Sequence, residues 1–340
     1  VESPYKIRFT LDGESAEYDA AEVVKHTFEL EDPRLWNAEE PNLYDFTYTL
    51  WRGDEAVDVY KERVGFRTVE LKRTDVMDEN GNGEFKFYIN GEPFFAMGTN
   101  WVPLSPYPSQ FLEKLPKAME MVKESGCNII RCWGGNVYEY DEFYDMCDEM
   151  GITVWQDFSM ACQDYPQNEE FQQELAREAR AVINRIGHHA SVILWAGDNE
   201  VDRCMYRHKD PNDNVLTRKV LPTQILEHDT RRPYLPSSPY IPPAAYNDGN
   251  LKPLPEDHLW GPRIYYKEDF KENVYARFAS ETGYHGCPSL DSIKKFITPE
   301  KVWPHTNNDE WILHSTDWNG LDKRVMLMEK QVRVLFGEVP

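Results

Sequence analysis

The chain reads as an α/β protein. A TIM-type (β/α)8 barrel, cut short before its eighth strand, follows a small immunoglobulin-like β-sandwich. Three observations predict this. Residues 1 to about 73 alternate apolar and polar side chains in short runs broken by turn residues, the pattern of antiparallel strands with one buried face. From about residue 74 a different unit repeats: helical stretch, glycine stop, short apolar strand, polar strand end. No G-x-G-x-x-G turn follows any of those strands, which favours a barrel over a doubly wound dinucleotide-binding sheet. The expected domains are therefore 1–73 for the sandwich and 74–340 for the barrel.

In the first region the expected strands are Tyr5-Lys-Ile-Arg-Phe-Thr10, Val23-Val-Lys-His-Thr-Phe28, Leu43-Tyr-Asp-Phe-Thr-Tyr-Thr-Leu50 and Ala56-Val-Asp-Val-Tyr60. Asp12-Gly13 and Arg52-Gly-Asp54 supply turns between them. A hairpin follows, in which Phe85–Ile89 turns at Asn90-Gly91 into Phe94–Gly98. The barrel strands are then expected at Phe94–Gly98, Cys127–Arg131, Ile152–Gln156, Ser191–Trp195, Tyr234–Ser237, His258–Trp260 and Ala276–Ser280. Helices over 112–125, 139–150 and 169–186 close at Gly126, Gly151 and Gly187. A helical tail spans 321–336, so an eighth strand and its helix are expected to lie outside this stretch.

Composition narrows the function classes. The 37 basic and 59 acidic residues give a net charge of −22, which repels phosphate backbones and anionic membranes. Neither nucleic acid nor membrane is an expected partner, and no apolar run reaches the ~18 residues of a membrane span. The chain opens Val1-Glu-Ser-Pro, without a signal-like core, and so reads as a piece of a longer protein. The six cysteines include no C-x-x-C pair, and no His and carboxylate cluster has metal-ligand spacing, so neither metal nor cofactor is expected. Ten Trp and nineteen Tyr suit stacking on sugar rings and suit an α/β core equally well.

A barrel places its chemistry at the C-terminal ends of its strands. Those positions hold Asn100 and Trp101, Arg131 with Trp133, Gln156 with Asp157, Asn199 with Glu200, Ser237 with Ser238, Trp260, and Glu281. Two of them end apolar runs in glutamate, Trp195-Ala-Gly-Asp-Asn-Glu200 and Phe278-Ala-Ser-Glu-Thr-Gly283. Such a pair is what glycoside hydrolysis requires: one acid to protonate the leaving oxygen and one carboxylate to attack or to activate water.

These segments closely resemble the β-mannosidase branch of glycoside hydrolase family two over nearly the whole chain. The resemblance rests on Val64-Gly-Phe-Arg67, Asn90-Gly-Glu-Pro-Phe94, Gly98-Thr-Asn-Trp-Val-Pro103, Asn128-Ile-Ile-Arg-Cys-Trp-Gly-Gly135, Val154-Trp-Gln-Asp-Phe158 and Ser237-Ser-Pro239. It implies a retaining exo-hydrolase of terminal β-linked sugars, with Glu200 as acid/base and Glu281 as nucleophile. Asn199 would hold the sugar 2-hydroxyl, and Arg131 would keep Glu281 ionised. Trp133 is either a sugar platform or a rim-packing residue, and Asp157 either binds a hydroxyl or caps a helix. Tyr265 or Tyr266 would donate to the nucleophile, while Asn100, Trp101 and Trp260 complete the expected sugar-contacting set. Cys162 and His314 fall in family-like segments and are expected to be structural. Relatives usually carry Asn at the position of Asp198, and they carry an N-terminal sugar-binding domain and C-terminal segments that this sequence lacks. β-Galactosidase or β-glucuronidase activity is the alternative within the family. An inactive carbohydrate-binding fragment is the alternative outside enzymology.

Overall fold

The computed structural model describes residues 4–21, 24–249, 251, 254–260, 274–283, 287–314 and 323–338. By compactness the chain forms two units, Val1–Glu256 and Asp257–Pro340.

The first unit opens with an antiparallel sheet of β1 (Tyr5–Leu11), β2 (Glu14–Asp19), β3 (Tyr44–Arg52) and β4 (Glu55–Val64), in the order β2-β1-β3-β4. Asp12 and Gly13 have φ of 48° and 88°, the positive pair that a tight hairpin matching strand twist demands. The expected strand at Val23–Phe28 does not form over its described residues, 24–28. Its side chains instead pack across the sheet: His26 stacks on Phe9 at 6.4 Å and Phe28 meets Phe46 edge-on at 6.1 Å. Lateral pairing is lost to facial packing.

A second antiparallel layer contains β5 (Val69–Arg73), β6 (Phe85–Ile89) and β7 (Glu92–Phe94). Phe94 belongs to this layer, and the first barrel strand, β8, starts only at Gly98 and runs to Trp101. The parallel sheet continues through β9 (Ile129–Cys132), β10 (Thr153–Asp157), β11 (Val192–Ala196) and β12 (Tyr234–Leu235), each strand beside its predecessor. Between them lie α1 (Phe111–Glu124), α2 (Asp141–Met150), α3 (Glu169–Ile186), α4 (Val201–Tyr206) and α5 (Leu221–His228). Sequential parallel strands alternating with helices are barrel topology. Every residue of β9, β10 and β11 is buried, as strands covered on both faces must be.

The antiparallel layer is fastened to the barrel. Trp36, wholly buried, donates its indole N–H to the Asp148 carbonyl at 2.8 Å, and Arg67 donates to the Ala190 and Val192 carbonyls. Beneath the strands, Phe85 stacks on Trp155 at 6.0 Å and Phe87 meets the same ring edge-on at 6.4 Å. After α6 (Pro243–Asp248), β13 (Glu256–Leu259) begins at the edge of the second unit and lies beside β14 (Phe278–Thr282). The second unit also carries α7 (Leu290–Ile293), α8 (Asp309–His314) and α9 (Lys323–Phe336). Among the described residues, no helix is long and apolar enough to cross a membrane.

Candidate active site

Strand alternation decides which strand-end residues face inward. On β8, Asn100 turns toward Arg131 and its Oδ1 accepts from Nη1 at 3.1 Å. Trp101, one residue on, points the opposite way. It is 5% exposed, donates to Glu139 at 2.8 Å and packs 5.0 Å from Phe143 of α2. Trp101 is therefore a core residue on the helix side, contrary to its expected sugar contact.

Arg131 organises the interior. Its Nη2 donates to Asp157 Oδ2 at 2.7 Å and to Asn199 Oδ1 at 2.8 Å, and its guanidinium lies 5.6 Å over the Trp155 ring. The Asp157 side chain is fully buried and also accepts from Trp155 Nε1 at 2.7 Å and from the Gly134 N–H at 3.0 Å. Burial pushes this carboxyl above its usual range while Arg131 and the N–H donors oppose the shift, and a guanidinium beside it keeps the pair charged. Neither expectation for Asp157 fits: it presents no exposed oxygen to a hydroxyl, and the next long helix takes Asn168 as its cap. It is the partner that fixes Arg131.

Gly134 and Gly135 are required by close approach. A Cβ on Gly134 would sit 2.3 Å from the Met160 carbonyl, and one on Gly135 would strike the Trp133 ring at 2.1 Å. Trp133 thus folds over Gly135 and is half-buried.

At the end of β11, Asn199 makes parallel bridges to Ala161 and Ser238, so pairing persists past the strand. Glu200 then adopts φ 58° as it leads into α4, a left-handed conformation uncommon for a residue with a Cβ and often found at functional sites. Cys162, expected to be structural, is exposed; its Sγ lies 3.7 Å from Glu200 Oε2 and accepts from Asn199 Nδ2 at 3.3 Å. Sequence periodicity could not find it, because it lies in a loop.

Asp198 faces away from this cluster and is wholly buried. Its Oδ1 accepts from the Ser237 hydroxyl and the Val201 N–H, while Oδ2 has no hydrogen-bond partner. Nearby Asp202 is paired with Arg218 through both carboxylate oxygens, so its charge is already answered and the two acids are not laid out to hold a cation. Burial, then the Asp202 charge, raise the Asp198 carboxyl well above its ordinary range. The folded state therefore holds a proton that the unfolded chain releases above about pH 4, and stability falls as pH rises through that point. Asp198→Asn keeps an acceptor for Ser237 and Val201 without a charge. It is expected to raise stability at pH 7 by about 1 kcal/mol, because folding then takes up no proton at this position, and to lose that gain near pH 4. Urea melts of both proteins at the two pH values check this; an equal shift at both would contradict it.

In the second unit, Glu281 on β14 is held by two side chains from β13 and its end. Trp260 Nε1 donates to Oε1 at 2.6 Å, and His258 Nδ1 lies 3.3 Å from Oε2. Trp260, expected as a sugar contact, holds the carboxylate through Nε1, with its ring over Gly283. His258 escaped the sequence reading, although its i, i+2 relation to Trp260 puts both on one strand face. Tyr265 and Tyr266 lie outside the described residues. His314 ends α8, exposed, with its ring 4.8 Å from Phe296.

Comparison with known proteins specifies what this parallel-stranded scaffold with polar, carboxylate-bearing strand ends is. Glycosyl hydrolases family 2 matches residues 6–67, and the TIM barrel domain of the same family matches 83–233. The chain belongs to glycosyl hydrolases family 2. It is 34% identical to a beta-mannosidase of Capra hircus over 289 residues, which is 78% of this chain and 32% of that protein. It is likewise 34% identical to a beta-mannosidase of Bos taurus over 265 residues, 72% of this chain and 30% of that one. The chain thus spans about a third of the length of the curated relatives it matches. A crystal structure of a beta-D-mannosidase from Dictyoglomus thermophilum superposes with a TM-score of 0.80 at 29% identity, covering 98% of this chain and 45% of that one. A Bacteroides uniformis beta-glucuronidase, at 20% identity and TM-score 0.55 over 68% of this chain and 29% of its own, shares the fold.

Proposed function

We propose that this protein is a retaining, exo-acting β-glycosidase that removes terminal β-D-mannosyl residues, with Glu200 as acid/base and Glu281 as nucleophile. The observation that carries the reading is the locked strand-end pair Asn199–Glu200. Asn199 is fixed by Arg131, and Glu200 projects from a left-handed turn beside it. The identity to beta-mannosidases over most of the chain favours mannose among the sugars the family accepts. The proposed division into a sandwich at 1–73 and a barrel domain at 74–340 is supported by the gap between the two family matches.

In the first step the Glu281 carboxylate attacks the anomeric carbon, the bond to the aglycone oxygen breaks, and Glu200 gives that oxygen its proton. In the second, Glu200 takes a proton from water, whose oxygen displaces Glu281 from the sugar. Two inversions leave the β configuration retained. Trp260 and His258 position Glu281 for attack, and Asn199 holds the 2-hydroxyl in a contact that strengthens as the oxocarbenium-like charge develops.

Assays with nitrophenyl β-mannoside, β-galactoside and β-glucuronide test the specificity. The mannoside is expected to be turned over with the highest kcat/KM. Preference for either other sugar would overturn the mannose assignment, and sugar binding without turnover of any would reduce the protein to a carbohydrate-binding module.

A further inference from the structure

We propose that Cys162 is a positioning residue for Glu200, its thiol joining the Glu200 carboxyl to the Asn199 side-chain amide. This rests on Glu200 acting as the acid/base. The Cys162 N–H donates to the Asn199 carbonyl at 2.8 Å, and the Asn199 N–H donates to the Met160 carbonyl at 2.9 Å, so the loop after β10 and the end of β11 are stitched together on both sides. Cys162 itself has φ 52°, a backbone conformation that a residue with a Cβ holds only when its surroundings impose it. That conformation places Sγ 3.3 Å from Asn199 Nδ2 and 3.7 Å from Glu200 Oε2.

The result is a continuous line of contacts from Asp157 through Arg131, Asn199 and Cys162 to Glu200. Its rigid end is the buried ion pair, and its working end is the proton donor. A thiol suits the middle position because sulfur accepts from an amide on one side and donates on the other, at distances a shorter hydroxyl would not span. Although the residue as a whole is exposed, partial burial of its thiol and then the Glu200 charge push the Cys162 thiol up to about 11 against the opposing Asn199 hydrogen bond, so the group keeps its proton near neutrality and acts as a donor. Asn199, which would hold the 2-hydroxyl, and Glu200, which would protonate the leaving oxygen, are thereby held at one fixed separation.

Two measurements test this. Cys162→Ala is expected to lower kcat/KM about tenfold for an alkyl mannoside, whose alcohol leaving group needs full proton donation, and less than about twofold for a dinitrophenyl mannoside, whose leaving group does not. Independently of turnover, iodoacetamide labelling of Cys162, followed on its own peptide by mass spectrometry at pH 8, is expected to run severalfold faster in Glu200→Gln, where no carboxylate opposes thiol ionisation. Equal losses on both substrates in Cys162→Ala, or labelling unchanged by Glu200→Gln, would overturn the proposal. If Glu200→Gln itself loses equally on both substrates, the acid/base reading fails, and the labelling rates still judge the contact.

Discussion

Glu281→Ala is expected to abolish hydrolysis, lowering kcat on the order of 10⁵-fold, the scale on which deleting a covalent nucleophile acts. The covalent ester cannot form without that carboxylate, and no other group on β14 substitutes for it. Azide should then restore part of the turnover by attacking the face Glu281 vacates, giving a glycosyl azide of inverted configuration. Glu200→Ala is expected to lose about 10²–10⁴-fold on poorly activated leaving groups, as a general acid does, and azide should there give the retained product. Product analysis by NMR separates the two. Inversion from Glu200→Ala would mean that the roles are exchanged.

Arg131→Met carries the second large effect, and it falls on the fold as well as the site. The substitution leaves Asp157 as an unpaired carboxylate inside the barrel and strips Asn199 and Asn100 of a donor. Breaking a buried ion pair from one side costs about 3–5 kcal/mol. Urea unfolding should show that loss, and the double variant Arg131→Met, Asp157→Leu should recover much of it, because replacing both charges removes the desolvated orphan. Activity should stay low in both, since Asn199 Oδ1 has lost its Arg131 donor. A single variant as stable as the parent would contradict the assigned pairing.

The barrel was legible because its signals are local and repeated: apolar runs of strand length, glycine after each helix, and polar residues at strand ends. The hydrogen-bonded set Asn100, Arg131, Asp157 and Asn199 lies at those ends. Trp101 does not, because neighbouring residues on a strand face opposite sides, and a four-residue strand gives too few turns of the pattern to say which side is which. Asp157 has the chemistry of a ligand-binding acid, and only burial reveals that Arg131, Trp155 and Gly134 already engage its oxygens. Cys162 depends on a left-handed loop residue that is not glycine, a conformation no composition rule assigns to cysteine. The strand expected at Val23–Phe28 had the right alternation, but its aromatic side chains are spent on the sheet face. His258 follows from strand periodicity, two residues before Trp260 on the same strand face.

In the proposed mechanism Glu281 forms a covalent bond to the sugar. Incubation with a 2-deoxy-2-fluoro-β-mannosyl fluoride, which enters the first step and stalls before the second, followed by proteolysis and mass spectrometry, tests it directly. One fluoromannosyl group per chain on the peptide carrying Glu281 is expected. A label on Glu200, or steady turnover to an inverted product with no label at all, would contradict it.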